Sequence, residues 1–279
     1  MKPLTYRDVQ AILSLLTDDD KALVRAVQER LFARGREAVA RVRAAASNPQ
    51  ALRAAEVLLR RLEEPPIEAQ FEGLSGALDG DVDLEEGAFV IARFGCPWVD
   101  VEGCAELLDR MAADVAPRVS AGDHPIHAIR TLNAYLAEEQ GFRGGDVSDP
   151  DNSFMDRVLE RKVGIPITLS AVYLFIGKRL RLPLCGVGMP GRFIVKYEEG
   201  DQEIFFDPFY GGRVITKNEC REIVTRMGFT FEEGHLARTP SRHILIRMMH
   251  NLLQHVYLPG GEEERARRLI EYIQILQGV

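Results

Sequence analysis

Cysteine is scarce in this 279-residue chain, and each one stands alone. Cys96, Cys104, Cys185 and Cys220 form no Cys-x-x-Cys pair and have no histidine at finger-like spacing, which argues against a zinc finger or a disulfide framework. Four reduced thiols acting as small hydrophobes are expected. No apolar run is long enough to cross a bilayer, and Met1-Lys2-Pro3-Leu4-Thr5-Tyr6-Arg7 leads straight into polar helix, so a cytoplasmic protein without a membrane partner is expected. Basic residues are not in excess: 35 Lys and Arg stand against 42 Asp and Glu, a formal charge of -7, which argues against a whole-surface attraction to nucleic acid. Tryptophan occurs once, as Trp98 in a turn between helices, the place of a packing wedge rather than a ligand platform.

Histidine is also thin. His124 and His127 open one helix three residues apart, but no carboxylate or third histidine lies at a supporting spacing. His243, Arg247 and His250 lie near one face of a C-terminal helix, read as a solvated or core-rim face. Neither a metal nor a cofactor is expected.

What the chain does have is helix. At 46% hydrophobic and 28% charged it can bury a sizeable core. Helical spacing of Leu23, Val27 and Leu31 marks an early helix, and Asn48 followed by Pro49 reads as an N-cap and first helical residue of another. These helices form either a HEAT-like pair or an ordinary bundle. Pro65-Pro66 closes them, giving expected domains at 1–64, 65–238 and 239–279, the last a helical hairpin with Ser241 as its capping serine. In between, Ser153 reads as the N-cap of a short helix stopped by a left-handed Gly164. Pro166 then starts a helix running to Arg179 that is apolar on almost every side, the mark of a central, buried element. Strand-like segments cluster at Leu184–Gly188, Arg192–Tyr197 and Ile204–Asp207. The expected fold class is therefore α+β, mostly helical, with a small antiparallel sheet packed on the helix that begins at Pro166 and an N-terminal helical bundle.

Several short motifs occur in one order: Leu132-Asn133, Phe142-Arg143-Gly144, Asp149-Pro150-Asp151-Asn152-Ser153, Val158-Leu159-Glu160-Arg161-Lys162, Gly164-Ile165-Pro166-Ile167, Gly188-Met189-Pro190-Gly191 and Asp207-Pro208-Phe209. Together they resemble the SirB-type branch of the transglutaminase-like superfamily, from about Glu85 to the C-terminus. The resemblance implies a transglutaminase-like, papain-like core followed by tetratricopeptide-like helices. It carries no established activity.

Catalytic members of such folds place a nucleophile at a helix start, where unpaired N–H groups stabilise a thiolate and an oxyanion, with a base on one strand and an acid on the next. In this chain the resemblance puts Pro166 at the nucleophile position and Arg192 at the base position, where the family pattern has Gly-His-Phe. Only Asp207 remains of the three. The expected cleft comprises Asn152, Ser153, Thr168, Arg192 and Asp207, with Arg192 and Asp207 joined as an ion pair. Three readings stay open: a non-catalytic protein acting on an unidentified protein or peptide partner or ligand, a cysteine-dependent acyl-transfer or amide-hydrolysing enzyme using Cys185 as a displaced nucleophile, and a helical scaffold with a purely structural core.

Overall fold

A computed structural model describes residues 3–76, 81–119 and 124–278. The described residues within 1–67 and 93–100 form one compact unit, and those within 68–92 and 101–279 form a second. A division at 64/65 and 238/239 therefore differs in two respects: residues 93–100 belong with the N-terminal helices, and the C-terminal hairpin belongs with the core.

The first unit contains α1 (Tyr6–Leu15), α2 (Lys21–Ala33), α3 (Arg36–Ala45) and α4 (Pro49–Glu63). Thr5 and Asp8 close a reciprocal capping box on α1, and the Asn48 side chain accepts from the Gln50 and Ala51 amides ahead of α4, with Pro49 where its missing N–H costs nothing. Leu16, Leu31, Val39, Val42 and Leu58 form its core. Trp98 packs against this cluster, its ring 5.8 Å from that of Phe32.

The second unit holds most of α5 (Ile67–Ser75) and α6 (Leu84–Gly95), whose residues 67 and 93–95 fall in the first, and then α7 (Val101–Val115) and α8 (Pro125–Asn133). There follow β1 (Arg143–Gly144), α9 (Met155–Arg161), β2 (Val163–Gly164) and α10 (Pro166–Arg179). A four-stranded antiparallel sheet comes next, in the order β3 (Leu184–Val187), β4 (Ile194–Glu199), β5 (Gln202–Asp207) and β6 (Arg213–Ile215). Helices α11 (Lys217–Arg226), α12 (Ser241–Leu252) and α13 (Glu263–Gln277) complete it. The α+β class, mostly helical with one small antiparallel sheet on a central helix, is the observed one.

Helix α10 is buried over almost its whole length because apolar residues surround it, and the sheet packs on it through Phe206, whose ring lies 5.7 Å from that of Tyr173. Alternation sends Val187, Ile194, Phe205 and Ile215 to the other face, onto Cys220 and Val224 of α11 and onto Leu236. At the C-terminal end of α10 the Arg179 guanidinium holds both oxygens of Glu85, at 2.6 and 2.9 Å, and Asp109 at 2.6 Å. A cation there also suits the helix dipole.

Several local readings are corrected. The sheet extends past Asp207, because the turn at Pro208–Tyr210 returns Arg213 to pair with Asp207. A two-stranded parallel ladder, β1 on β2, ties the glycine-rich loop to the entry of α10. Strand β4 starts at Ile194 rather than Arg192, since Gly191 at φ +71° turns the chain and the Arg192 amide donates to the Met189 carbonyl. Ser153 does not cap α9; the N-cap is Phe154, with no side-chain hydrogen bond, and the left-handed residue ending α9 is Lys162 rather than Gly164. Nor does Ser241 cap α12. Asp81 accepts from the Ser241 and Arg242 amides, a cap supplied from 160 residues upstream.

Candidate functional site

The entry to α10 is built from backbone and one hydroxyl. Pro166 occupies the first helical position, and the Ile165 amide donates to Thr168 Oγ1 at 3.0 Å. That hydroxyl donates to the Asn152 carbonyl at 2.8 Å, so a fully buried Thr168 links α10 to the preceding turn. The turn is latched from α9: Arg161 bonds Asp149 at 2.8 Å and Arg157 bonds Asp151 at 2.6 Å. Asn152 donates its side-chain amide to the Asp146 carbonyl. Ser153 Oγ and Ser170 Oγ are buried with no protein partner among the described residues. The Asp-Pro-Asp-Asn-Ser and Glu-Arg-Lys motifs thus form one structural latch.

Arg192 and Asp207 come together where β5 ends. Arg192 Nε donates to Asp207 Oδ2 at 2.8 Å, with the carboxylate side chain 3% exposed and the guanidinium side chain 17%. Asp207 Oδ1 accepts from the Phe209 amide at 3.0 Å, which fixes the turn that follows β5. Burial raises the Asp207 carboxyl above the ordinary aspartate value, opposed by the Arg192 charge and hydrogen bond and by the turn amides. The aromatic residues of that turn lie under the arginine, its Cζ 4.4 Å from the Tyr210 ring centroid and 5.4 Å from that of Phe209. Behind it, Arg247 Nη2 of α12 donates to the Met189 and Arg192 carbonyls at 3.0 and 3.1 Å and holds the glycine-proline turn in place. Burial lowers the Arg247 pKa. Arg247 is therefore committed to the core, whereas His243 of the same helix is exposed, so that face forms no ligand set.

The ion pair opens into a cleft of about 420 Å³ between the end of the sheet and α11. Of the residues expected to line a cleft, Arg192 and Asp207 do; Asn152, Ser153 and Thr168 do not, being buried in the latch and the α10 entry. The lining includes residues that sequence spacing does not single out, among them Tyr210, Arg213, Arg226 and Met227, and among the described residues it contains no cysteine, serine, threonine or histidine.

Cys185 lies elsewhere. On β3 it pairs across to Lys196 of β4, and its Sγ is 3.8 Å from Glu198 Oε2. Its cationic neighbours are Lys196 and Arg238 rather than Arg192, and burial pushes the thiol up to about 11, with Glu198 adding to the rise. A thiolate is thereby disfavoured. Native-state thiol labelling at neutral pH is expected to reach half-buried Cys96 and Cys104 well before Cys185 and Cys220, whose thiols burial likewise raises to about 11. Rapid modification of Cys185 in mildly acidic buffer would contradict this. Among the described residues no group of three or more His, Cys, Asp or Glu is arranged to hold a metal ion, and no helix is long and apolar enough to cross a membrane.

A pattern described as the transglutaminase-like superfamily matches residues 102–250, which span α7 through α12 and so include the latch, the sheet and the ion pair. The chain belongs to the transglutaminase-like superfamily. It is also 35% identical over 207 residues to a UPF0162 protein of Xylella fastidiosa, covering 70% of this chain and 72% of the relative. A UPF0162 protein of Pseudomonas aeruginosa, PA3419, is 31% identical over 60% of this chain and 62% of its own length. Human F-box only protein 21 is 30% identical over 45% of this chain and 21% of its own length. No solved structure matches the chain.

Proposed function

We propose that this transglutaminase-like chain is non-catalytic and acts by binding, with the Arg192–Asp207 cleft as its binding site. One observation carries the reading. At the base position stands a guanidinium, which cannot accept a proton at neutral pH, and its Nε is bonded to the one acidic residue retained there. The other two positions point the same way: Pro166 offers no nucleophile, and the nearest hydroxyl, Thr168, is bonded into the helix entry. Loss of either member of a nucleophile and base pair removes most of the rate that the pair supplies. The cleft is within the size of a small-molecule or peptide site, ordinarily about 300 to 1,000 Å³. The order of motifs supports membership of the SirB-type branch, and the helical α12–α13 hairpin supports reading the C-terminal segment as tetratricopeptide-like.

Amidase and transglutaminase assays on the wild type and on Arg192→His are expected to stay blank, because restoring histidine leaves Pro166 at the nucleophile position. Turnover by the wild type that disappears in Cys185→Ser would overturn the proposal in favour of a displaced thiol.

A further inference from the structure

We propose that the cleft takes the C-terminal carboxylate of a peptide whose last residue is apolar, with Arg192 as the anchor; this rests on the binding reading above. Arg192 spends only its Nε on Asp207, and among the described residues neither terminal amino group has a hydrogen-bond partner. Both belong to a side chain that lines the cleft. Its plane is held by Asp207 on one edge and by the Tyr210 and Phe209 rings, and its backbone by Arg247. A guanidinium immobilised in this way presents two parallel N–H groups, the geometry that a carboxylate fills with both oxygens. Little rotamer entropy is left to lose on binding.

Charge decides between a carboxylate and a phosphate. The cleft is lined by three arginines, Arg192, Arg213 and Arg226, and by three carboxylates, Asp207, Glu219 and Glu222. Arg213 is already bonded to Glu219, and Arg226 lies 3.7 Å from Glu222. With the lining charges balanced in pairs, a dianion would bring two charges to the one uncommitted edge of Arg192 and leave one unmatched. A monoanion is matched by that edge charge for charge.

The remaining wall is apolar. Met227 is 54% exposed and Tyr210 60% exposed, large values for such side chains, and Ile215 and Ile223 stand beside them. Carboxylate and apolar side chain on adjacent atoms is the chemistry of a peptide C-terminus. A peptide is favoured over a small free acid because β6, which contributes Arg213 and Ile215 to the cleft, is the edge strand of the sheet. An edge strand offers backbone donors and acceptors to an extended chain, which a small acid cannot use.

The test is isothermal titration of the full chain with acetyl-Gly-Gly-Leu as the free acid, the same peptide as the C-terminal amide, isovalerate and inorganic phosphate. The free acid is expected to bind, and the amide to bind at least about tenfold more weakly, the loss of a charged hydrogen-bonded contact. Isovalerate is expected to bind more weakly than the peptide, and phosphate not to compete. Met227→Glu puts a new carboxylate on the exposed rim without touching the ion pair, so it is expected to weaken the free acid by about tenfold or more with thermal stability unchanged. Arg192→Gln is expected to abolish binding, and its folding is checked by circular dichroism. Equal affinity for acid and amide, effective competition by phosphate, or absence of free-acid binding would overturn the carboxylate assignment. Isovalerate as tight as the peptide would overturn the peptide assignment. Hydrolysis of the peptide would instead overturn the binding reading itself, so the two failures are told apart.

Discussion

Arg192→Ala is expected to lower the free energy of unfolding by about 3 to 5 kcal/mol, the cost of removing one partner from a buried ion pair. The pair is asymmetric. Asp207 is 3% exposed at its side chain and Arg192 17%, so the carboxylate has almost no solvent to replace the guanidinium, and its only other bond partners are turn amides. The variant should also respond differently to pH. Burial already holds the Asp207 carboxyl above its ordinary value in the folded chain, so the folded state binds that proton more tightly than the unfolded state. Stability contributed by this group is therefore lost as pH rises through the folded pKa and recovered below it. Deleting Arg192 removes the charge and the hydrogen bond that oppose the effect of burial, and the folded pKa climbs further. The wild-type and variant unfolding curves in urea should accordingly lie farthest apart at neutral pH and approach each other as pH falls through the carboxyl titration. A gap smaller than about 1 kcal/mol, the worth of an exposed pair, or one independent of pH, would show the pair to be solvated.

The parts of this structure that are legible in the sequence are those set by local patterns. The apolar run from Ile167 to Ile176 announces a buried helix, Asn48-Pro49 announces a helix start, and the β-branched and aromatic cluster from Leu184 to Asp207 announces the sheet, because each signal is complete within one turn or one strand pair. What local pattern hides is supplied from far along the chain. Ser153 and Ser241 look like caps, yet tertiary structure uses neither as one: Asp81 takes over α12, and the Asp149–Asp151 turn is latched by arginines of α9. β6 is three residues long, too short to show alternation, and is recognised only by its pairing with β5.

The same holds at the candidate site. The pairing of Arg192 with Asp207 is suggested by a resemblance to catalytic folds, and neither residue would stand out by spacing alone. The aromatic residues beneath Arg192 and the anchoring Arg247 have no sequence signal that assigns them there: Phe209 and Tyr210 read as part of a turn, and Arg247 as part of a polar helix face. Their function depends on which way a guanidinium points, and that is decided by packing. Conversely, Asn152, Ser153 and Thr168 carry the residue types of a polar cleft but are buried, Asn152 and Thr168 because the helix entry and its turn need hydrogen-bond partners more than solvent access.

The turn that carries Tyr210 under Arg192 offers the second large effect. Gly211 and Gly212 are adjacent and both left-handed, at φ +67° and +74°, yet their surroundings differ. A Cβ on Gly211 would meet nothing closer than the Ala137 Cβ at 3.8 Å, an ordinary contact, so Gly211→Ala should cost only the left-handed backbone penalty, about 1 kcal/mol. A Cβ on Gly212 would lie 2.0 Å from Asn133 Oδ1 and 2.1 Å from its Cγ, which no real contact tolerates. Asn133 cannot step aside freely, because its Nδ2 donates to the Gly212 carbonyl at 2.5 Å and so ties α8 to the turn. Gly212→Ala must therefore add overpacking and a broken, half-buried hydrogen bond to the same backbone penalty, about 3 kcal/mol or more in all. Because the Gly212 amide donates to the Asp207 carbonyl, the displacement should also reach the ion pair and the ring beneath it. Chemical denaturation of the two variants side by side is the measurement. A loss for Gly212→Ala at least about 2 kcal/mol greater than for Gly211→Ala is the expected result, since only the second glycine faces a group held in place. Equal losses would mean that the backbone conformation, and not the Asn133 contact, is what the second glycine serves.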